Sequence, residues 1–254
     1  MKKYLIFLLF ILTNINSGYS YKIHPITLKI GEKYYYNIYV LGAKVAAETI
    51  TISKETNILS KKCYKIITLI KTTPFISEIY KVEDYIETYI EKNSLLPVLI
   101  HTKLHERKWE NEIIIKINQE KKFLWYKDKK INKKFYFEHK LLGLVSILFY
   151  LKKITPEKGE IINLYVHNKR KVEKLITKVI STNEIIKAQI NNKKKKFKVF
   201  HYKTINKNGA ELWISNDKDR LPLKLISIKI PVFGDMSISI ISHLIKIENI
   251  YLNK

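Results

Sequence analysis

The chain has 254 residues, with 47 lysines and arginines against 23 aspartates and glutamates, which gives a formal net charge of +24 at pH 7. Only three of the 47 basic residues are arginine, the side chain best suited to paired contacts with phosphate and guanine, so we do not expect a nucleic-acid partner. The single cysteine, Cys63, excludes an intramolecular disulfide, and its apolar neighbours predict a buried, inert thiol.

The N-terminal segment has the pattern of a secretory signal peptide. Lys2 and Lys3 precede an apolar run at residues 4–12, and a polar stretch follows that ends in Ser20. We predict cleavage after Ser20, export to the periplasm or beyond, and a single β-rich domain over residues 21–254. The apolar run is shorter than the roughly 20 residues that a membrane-spanning helix needs, so the mature chain is expected to have no transmembrane segment.

Short alternating runs of Ile, Tyr, Thr, Val and Phe predict strands along most of the remaining chain. We place them at about residues 22–30, 33–41, 44–53, 62–72, 77–91, 95–105, 109–118 and 122–127, and later at 160–169, 171–181, 184–190, 195–205, 210–215, 221–230 and 235–251. Most connections are too short for parallel crossovers, which take a dozen or more residues, so antiparallel pairing is predicted. Hairpin turns are expected at Gly42 and at Asn191 and Asn192.

One segment between these strands has helical spacing. Its apolar residues cover nearly every side of a helix, and they are Leu141, Leu144, Val145, Ile147, Leu148, Phe149, Tyr150 and Leu151. At about 15 residues it is too short to cross a bilayer. We therefore predict a mainly β fold, a large curved antiparallel sheet or open barrel with one buried central helix at about 140–153. The alternative is that the helix closes a cavity for an apolar ligand, with Leu148, Phe149 and Tyr150 as candidate contacts.

The residue types that carry chemistry do not form an enzyme motif. Glu83 and Glu87 share one face of a predicted strand while Asp84 faces the other way, an alternation typical of a half-exposed strand. His101 and His105 are four apart on a strand, about 13 Å, which is too far for one metal ion. Nucleophile elbows, phosphate loops and dinucleotide fingerprints do not occur in the sequence. We expect no catalytic residue, no metal and no cofactor.

The stretch LWISNDKDRLPLKL predicts a hairpin with a polar turn. Asp217 and Asp219 can accept hydrogen bonds from nearby backbone amides, and Arg220 can form a bidentate ion pair with either carboxylate. Pro222 lacks an amide donor, which suits an edge strand or a bulge. The structural interpretation is a pinned hairpin with Trp213 in the core. The functional interpretation places Trp213 and Arg220 at the rim of a binding groove.

Three motifs follow one another along the chain: GEKY through LGAKVA at residues 31–46, SILFYL at residues 146–151, and WISND with RLPL at residues 213–223. In this order they resemble the exported bacterial proteins of domain-of-unknown-function family 3108. Two positions depart from the pattern, since Gly143 replaces a usual acidic residue and Lys152 a usual arginine. The resemblance implies a β-rich envelope protein facing the periplasm of a two-membrane bacterium, and it implies no reaction or cofactor.

Three hypotheses of function follow from these patterns. The first is a non-enzymatic periplasmic protein that binds an apolar or lipid-like ligand of the envelope. The second is a scaffold that uses its basic strands to hold an anionic partner such as lipopolysaccharide. The four lysines at residues 193–196 are typical of a solvated face, and the alternative is a polyanion site. The third is a hydrolase acting through Glu83 and Asp84. Lysines in nearly every strand argue against an outer-membrane barrel, because each costs about 2 to 4 kcal/mol near mid-bilayer. The sequence identifies neither the ligand nor the oligomeric state.

Overall fold

The computed structural model describes residues 22–23, 26–168, 171–206, 209–233 and 236–249. The predicted signal peptide, residues 1–20, lies outside the described residues. Within them the chain forms seventeen strands and two helices. The strands are β1 (Lys22–Ile23), β2 (Glu32–Val40), β3 (Ala43–Ile58), β4 (Lys61–Thr72), β5 (Glu83–Glu91), β6 (Pro97–Glu106), β7 (Trp109–Asn118), β8 (Phe123–Lys127), β9 (Asn132–Tyr136), β10 (Leu141–Leu142), β11 (Ile154–Thr155), β12 (Ile161–Asn168), β13 (Lys171–Ile190), β14 (Lys193–Thr204), β15 (Glu211–Ser215), β16 (Pro222–Phe233) and β17 (Met236–Asn249), and the helices are α1 (Pro74–Ile79) and α2 (Leu144–Lys152).

Fifteen strands make one sheet in the order β10-β12-β13-β14-β15-β16-β17-β2-β3-β4-β5-β6-β7-β8-β9. Every neighbouring pair is antiparallel except β10 and β12, which run parallel. The strands β1 and β11 pair separately in a two-stranded sheet. The predicted large antiparallel sheet is therefore confirmed.

The alternation of side chains gives the sheet an apolar inner face. On β2, Tyr34 and Tyr36 are buried and Tyr35 between them is partly exposed, and on β3 Ile50 and Ile52 are buried in the same way. Successive residues of a strand point to opposite faces, so this period of two places one whole face in the core. Cys63 is fully buried, as predicted, and burial raises the pKa of its thiol.

The sheet curls until its two ends meet. Near one end, the side-chain amide of Gln119 donates to the Leu141 carbonyl at 2.7 Å and accepts from the Leu141 amide at 3.1 Å. The rings of Tyr126 on β8 and His167 on β12 lie 5.6 Å apart. In the described part of the chain these side chains join the ends, and no backbone ladder does. We call this junction the seam.

The predicted central helix is present as α2, and it is shorter than expected. Leu141 and Leu142 form β10, and α2 begins only after Gly143. The Ser146 hydroxyl explains this start, because it accepts from the Gly143 amide at 2.8 Å and donates to the Gly143 carbonyl at 2.9 Å. Phe149 belongs to a core cluster with β2 to β5, and Leu151 to a cluster with β12 to β15. The sheet therefore wraps around α2.

Four strand predictions differ from the structure. The predicted strand at 77–91 begins as the helix α1, because Pro74 provides the fixed backbone angle that suits a first helical turn. The structure describes residues 22–23 and 26–30 of the predicted strand at 22–30, and among these only 22–23 pair with another strand. The strand β13 runs through the break that we expected at 182–183, since its irregularities are absorbed as bulges. The short strands β9, β10 and β11 were not predicted.

The long hairpin of β13 and β14 ends at a turn that contacts β17. Asn191 and Asn192 have positive φ angles of 51° and 62°, which confirms the predicted hairpin turn. The Asn191 side chain then donates to the Ile247 carbonyl at 3.1 Å and accepts from the Ile247 amide at 2.9 Å. Its backbone amide donates to the Ile245 carbonyl at 3.0 Å. These contacts hold the hairpin tip against β17, which lies three places beyond β14 in the sheet.

Candidate functional site

A cavity of about 1330 Å³ opens at one end of the curled sheet. Its inner wall consists of Leu104 on β6, Asn111 and Ile113 on β7, and Tyr126 on β8. Leu104 is paired with Asn111 in the ladder, and Ile113 shares the face of Asn111 because it follows two residues later. The strands thus place one amide among large apolar side chains on this part of the wall. Charged side chains complete the lining, namely Glu106, Arg107, Lys108, Asp128 and Lys171.

The rim of the cavity is the turn between β6 and β7, together with the residue that follows α1. Arg107 in this turn has a positive φ of 55°, and its guanidinium donates to the Ile79 carbonyl at 3.1 Å. It also lies over the Tyr80 ring at 5.1 Å. The Tyr80 hydroxyl donates to Glu106 at 3.1 Å, and this hydrogen bond raises the pKa of Tyr80. The end of α1 is therefore fastened to the rim.

Two carboxylates project from the inner face of the sheet. Glu48 on β3 is paired with Ile70, and Ile70 is paired with Asp84 on β5, so the two acids share one face. Burial raises the pKa of Glu48 to about 7, and in the described chain its carboxylate has no hydrogen-bond partner. Burial also raises the pKa of Asp84, although the His105 amide donates to it at 3.2 Å. The interior thus holds acids that titrate closer to neutrality than usual.

The seam brings one further ionisable group close to the cavity wall. His167 is buried on β12, beside Tyr126, and its Nε2 has no hydrogen-bond partner. Burial lowers the pKa of His167 to about 4. The imidazole is therefore neutral at physiological pH, and this side of the cavity carries no charge from it.

The helix residues that we predicted as ligand contacts lie away from the cavity wall. Phe149 is 1 % exposed in the main core, and Leu148 and Tyr150 are partly buried against other side chains. Near them Lys152 is 4 % exposed, and its ammonium donates to the Tyr34 hydroxyl at 3.2 Å. Burial lowers the pKa of Lys152 to about 8. The helix α2 therefore fills the interior of the curled sheet and does not close the opening of the cavity.

The hairpin turn after β15 is held by Asp217. One of its carboxylate oxygens accepts from the Ser215 hydroxyl at 2.8 Å, from the Asp219 amide at 3.0 Å and from the Arg220 amide at 3.1 Å. Pro222 begins β16 opposite Ile214, where the register shifts, as expected for a proline at a bulge.

The predicted bidentate ion pair of Arg220 with Asp217 or Asp219 is not formed. The guanidinium turns inward instead, donates to the Thr155 hydroxyl at 3.0 Å and stacks over the Phe200 ring at 4.4 Å. Its other terminal nitrogen is buried without a partner. The positive φ of 48° at Arg220 directs this side chain away from the turn. Arg220 thus joins β11 to the sheet.

Trp213 is buried among other side chains and does not line the cavity. Its ring stacks on His201 with centroids 4.2 Å apart, and its Nε1 donates to Glu184 at 3.2 Å. Glu184 and Glu211 contact the two nitrogens of His201 at 2.8 and 2.7 Å. The tryptophan belongs to the same core cluster as Phe149. Trp213 therefore packs in the core.

The charged residues considered for catalysis are separated by the sheet. Glu83 pairs with Lys71 at 2.5 Å on the outer face, opposite to Asp84. Burial alone would raise the pKa of Glu87, but hydrogen bonds from Lys65 and two tyrosines lower it to about 2. His101 and His105 lie on β6, beside Glu112 and Glu110 respectively. Glu83 and Asp84 therefore do not converge on one cleft.

The cavity residues were missed in the sequence because they come from four separate strands and a turn. One local signal was present, since Arg107, one of the three arginines, precedes Trp109, one of the three tryptophans, by two residues. In the part of the chain that the structure describes, neither helix is long and apolar enough to span a membrane.

No curated protein matches this chain. Among solved structures, the chain is similar to one described as "Beta-barrel-like Protein of Domain of Unknown Function DUF1849 from Brucella abortus". The TM-score is 0.55 at 9% sequence identity, and the match covers 88% of this chain and 99% of that chain. This likeness concerns the fold. The profile of the family described as "Protein of unknown function (DUF3108)" matches residues 35–240. The chain therefore belongs to the DUF3108 family of proteins of unknown function.

Proposed function

We propose that the protein is a non-enzymatic component of the bacterial cell envelope that binds one apolar, lipid-like ligand in the cavity. The observation that carries this proposal is the cavity itself, about 1330 Å³ with Leu104, Ile113 and Tyr126 in its wall. Pockets for small ligands usually measure about 300 to 1,000 Å³. The space therefore suits a larger ligand, such as one with a long hydrocarbon chain.

The energetics favour a long chain over a short one. Burial of one methylene contributes about 0.8 kcal/mol, whereas association costs about 4 to 15 kcal/mol in lost freedom of motion. A ligand with about six buried methylenes gains roughly 5 kcal/mol and barely offsets that cost. A ligand with about fourteen gains roughly 11 kcal/mol, which exceeds the lowest value of that cost by about 7 kcal/mol and corresponds to binding at about 10 µM.

The predicted signal peptide and the resemblance to exported proteins support an envelope location. N-terminal sequencing of the protein from the periplasmic fraction tests this part of the proposal, with Tyr21 expected as the first residue. Retention in the cytoplasm with Met1 intact would contradict it.

Ligand binding is tested first by native mass spectrometry of the protein purified without detergent from its own periplasm. A stoichiometric lipid is the expected result. The delipidated protein is then titrated with a fluorescent long-chain fatty acid. Ile113→Glu places a charge in the cavity wall and should weaken binding by about a hundredfold, since a charge in an apolar site costs several kcal/mol.

A matched control lies next to Ile113 on the same strand. Ile114 is also partly exposed, and it points to the other face of β7. Ile114→Glu should bind the fatty acid as the unmodified protein does. Equal affinities of the two variants, or no binding to the delipidated protein, would refute a ligand in this cavity.

A second candidate function is a scaffold for an anionic envelope component. Residues 193–196 at the start of β14 are four exposed lysines, and in the described chain they form no ion pair. Lysines near an anionic surface contribute about 1 kcal/mol each, and salt screens the attraction. Binding of lipopolysaccharide that is lost in high salt and in a variant with all four lysines changed to serine would favour this function.

A further inference from the structure

Four large apolar side chains stand exposed around the mouth of the cavity. Phe75 and Ile79 on α1 are 76% and 63% exposed, and Tyr80 and Trp109 beside them are 42% and 50% exposed. Phe75 and Ile79 are four residues apart, so they lie on the same side of the helix. None of the residues of α1 is buried. We call these four residues the rim patch.

The rim patch is held in place by hydrogen bonds. The Thr73 amide, just before α1, donates to the Val45 carbonyl at 2.9 Å. The hydroxyls of Thr72 and Ser77 lie 2.8 Å apart, and Arg107 fixes the other end of α1 through the Ile79 carbonyl. The apolar side chains are therefore presented on a fixed support, which reduces the entropy that docking would cost.

The rim patch and the cavity are continuous. Tyr80 and Trp109 belong to the rim patch and also line the cavity, whereas Phe75 and Ile79 lie only outside it. A surface that contacts the rim patch therefore lies directly at the mouth. A hydrophobic ligand could pass between that surface and the cavity with little exposure to water.

The chemistry of the patch and the charge of the chain together fit a lipid surface. Tryptophan and tyrosine are enriched at membrane interfaces, where their rings contact both the acyl and the polar layers. Arg107 and Lys108 at the mouth form no ion pair within the described residues. The charges next to the patch nearly balance, but residues 21–254 carry +22, because Lys2 and Lys3 of the +24 chain lie in the predicted signal peptide. Long-range attraction to an anionic bilayer then comes from the whole chain, and the apolar patch decides which face docks.

We propose that the rim patch docks the protein onto an anionic lipid bilayer with the mouth of the cavity at the membrane surface. The inference deepens the proposed function, because it assigns the route by which a lipid-like ligand enters. Docking itself does not require that a ligand be bound.

Vesicle flotation of the mature protein tests the docking. The probes are vesicles of phosphatidylglycerol mixed with phosphatidylcholine, and vesicles of phosphatidylcholine alone. Phe75→Ser combined with Ile79→Ser should weaken binding to the anionic vesicles by about tenfold or more, since two exposed apolar side chains are lost. The control combines Leu59→Ser with Trp125→Ser, which are 61% and 44% exposed elsewhere and should leave binding unchanged.

This design distinguishes a failure of ligand binding from a failure of membrane docking. The Phe75 and Ile79 double variant should still bind the soluble fatty-acid probe, because neither side chain lines the cavity, and Ile113→Glu should still float with anionic vesicles. A second readout uses lipids brominated on the acyl chain. These should quench the fluorescence of Trp125→Phe protein, which retains Trp109, and not that of Trp109→Phe protein. Equal flotation of the rim-patch and control variants, or equal quenching, would overturn the docking proposal.

Discussion

Replacement of Lys152 by methionine should stabilise the protein at neutral pH. Burial lowers the pKa of this lysine from 10.5 to about 8, and each pKa unit corresponds to about 1.4 kcal/mol. The unfolded chain keeps the proton up to about pH 10.5, whereas the folded chain loses it near pH 8. The cost of burying the ammonium is therefore about 3 kcal/mol below pH 8, and it disappears as the pH rises through 10.5. Methionine fills a similar volume without this cost.

Urea denaturation followed by circular dichroism measures the effect at two pH values. The advantage of Lys152→Met over the unmodified protein should shrink by roughly 2.5 kcal/mol between pH 7 and pH 10. Other groups titrate in both proteins and cancel in the difference. Lys158→Met, at an exposed lysine after α2, should change the free energy of unfolding by less than about 0.5 kcal/mol at either pH. If the difference in free energy of unfolding between Lys152→Met and the unmodified protein does not vary with pH, the assignment of a buried, charged lysine is refuted.

Three further substitutions test other contacts, each by its effect on the free energy of unfolding. Asp217→Ala removes the acceptor of three hydrogen bonds and should cost about 2 to 4 kcal/mol. Asp219→Ala in the same turn should cost less than about 0.5 kcal/mol. Equal losses would contradict the role of Asp217. The free energy of unfolding of Glu48→Gln should rise by roughly 2 kcal/mol relative to that of the unmodified protein between pH 5 and pH 8. The raised pKa of about 7 makes ionisation of Glu48 costly only in the folded state. Thermal melts at both pH values would show no such change if the carboxylate were solvated. Gly143→Ala would place a Cβ 2.7 Å from the Ile100 Cδ1, the movable end of that side chain, and should cost less than about 1 kcal/mol. Ile100→Val should remove that cost in the double variant, and additive effects would argue against the clash.

The sheet could be predicted because burial on one face of a strand leaves a period of two in the sequence. Tyr34 and Tyr36 show this directly, with Tyr35 between them turned outward. The helix α1 was missed because residues 77–91 alternate like a strand. A start signal was nevertheless present in Thr73 followed by Pro74, a cap position before a proline that suits the first helical turn.

The candidate site depends on contacts that local patterns do not encode. The cavity exists because β8 and β13 come close to the turn between β6 and β7 when the sheet curls. The rarity of arginine drew attention to Arg220, but its hydroxyl partner Thr155 is 65 residues away in the chain. Neighbouring aspartates were the plausible partners from the sequence, and the left-handed backbone at Arg220 sends the side chain elsewhere.

The seam completes the circumference of the sheet without a backbone ladder in the described part of the chain. In a fully closed barrel the number of strands and their stagger determine the radius. Here, among the described residues, the circumference is completed by the Gln119 amide and by packed rings. Widening it requires these side chains to separate and leaves every backbone ladder intact. The edge strand β9 carries Lys133 and Lys134, which discourage another strand from adding there. Under the proposed function, separation along this line would let one scaffold take ligand chains of different bulk.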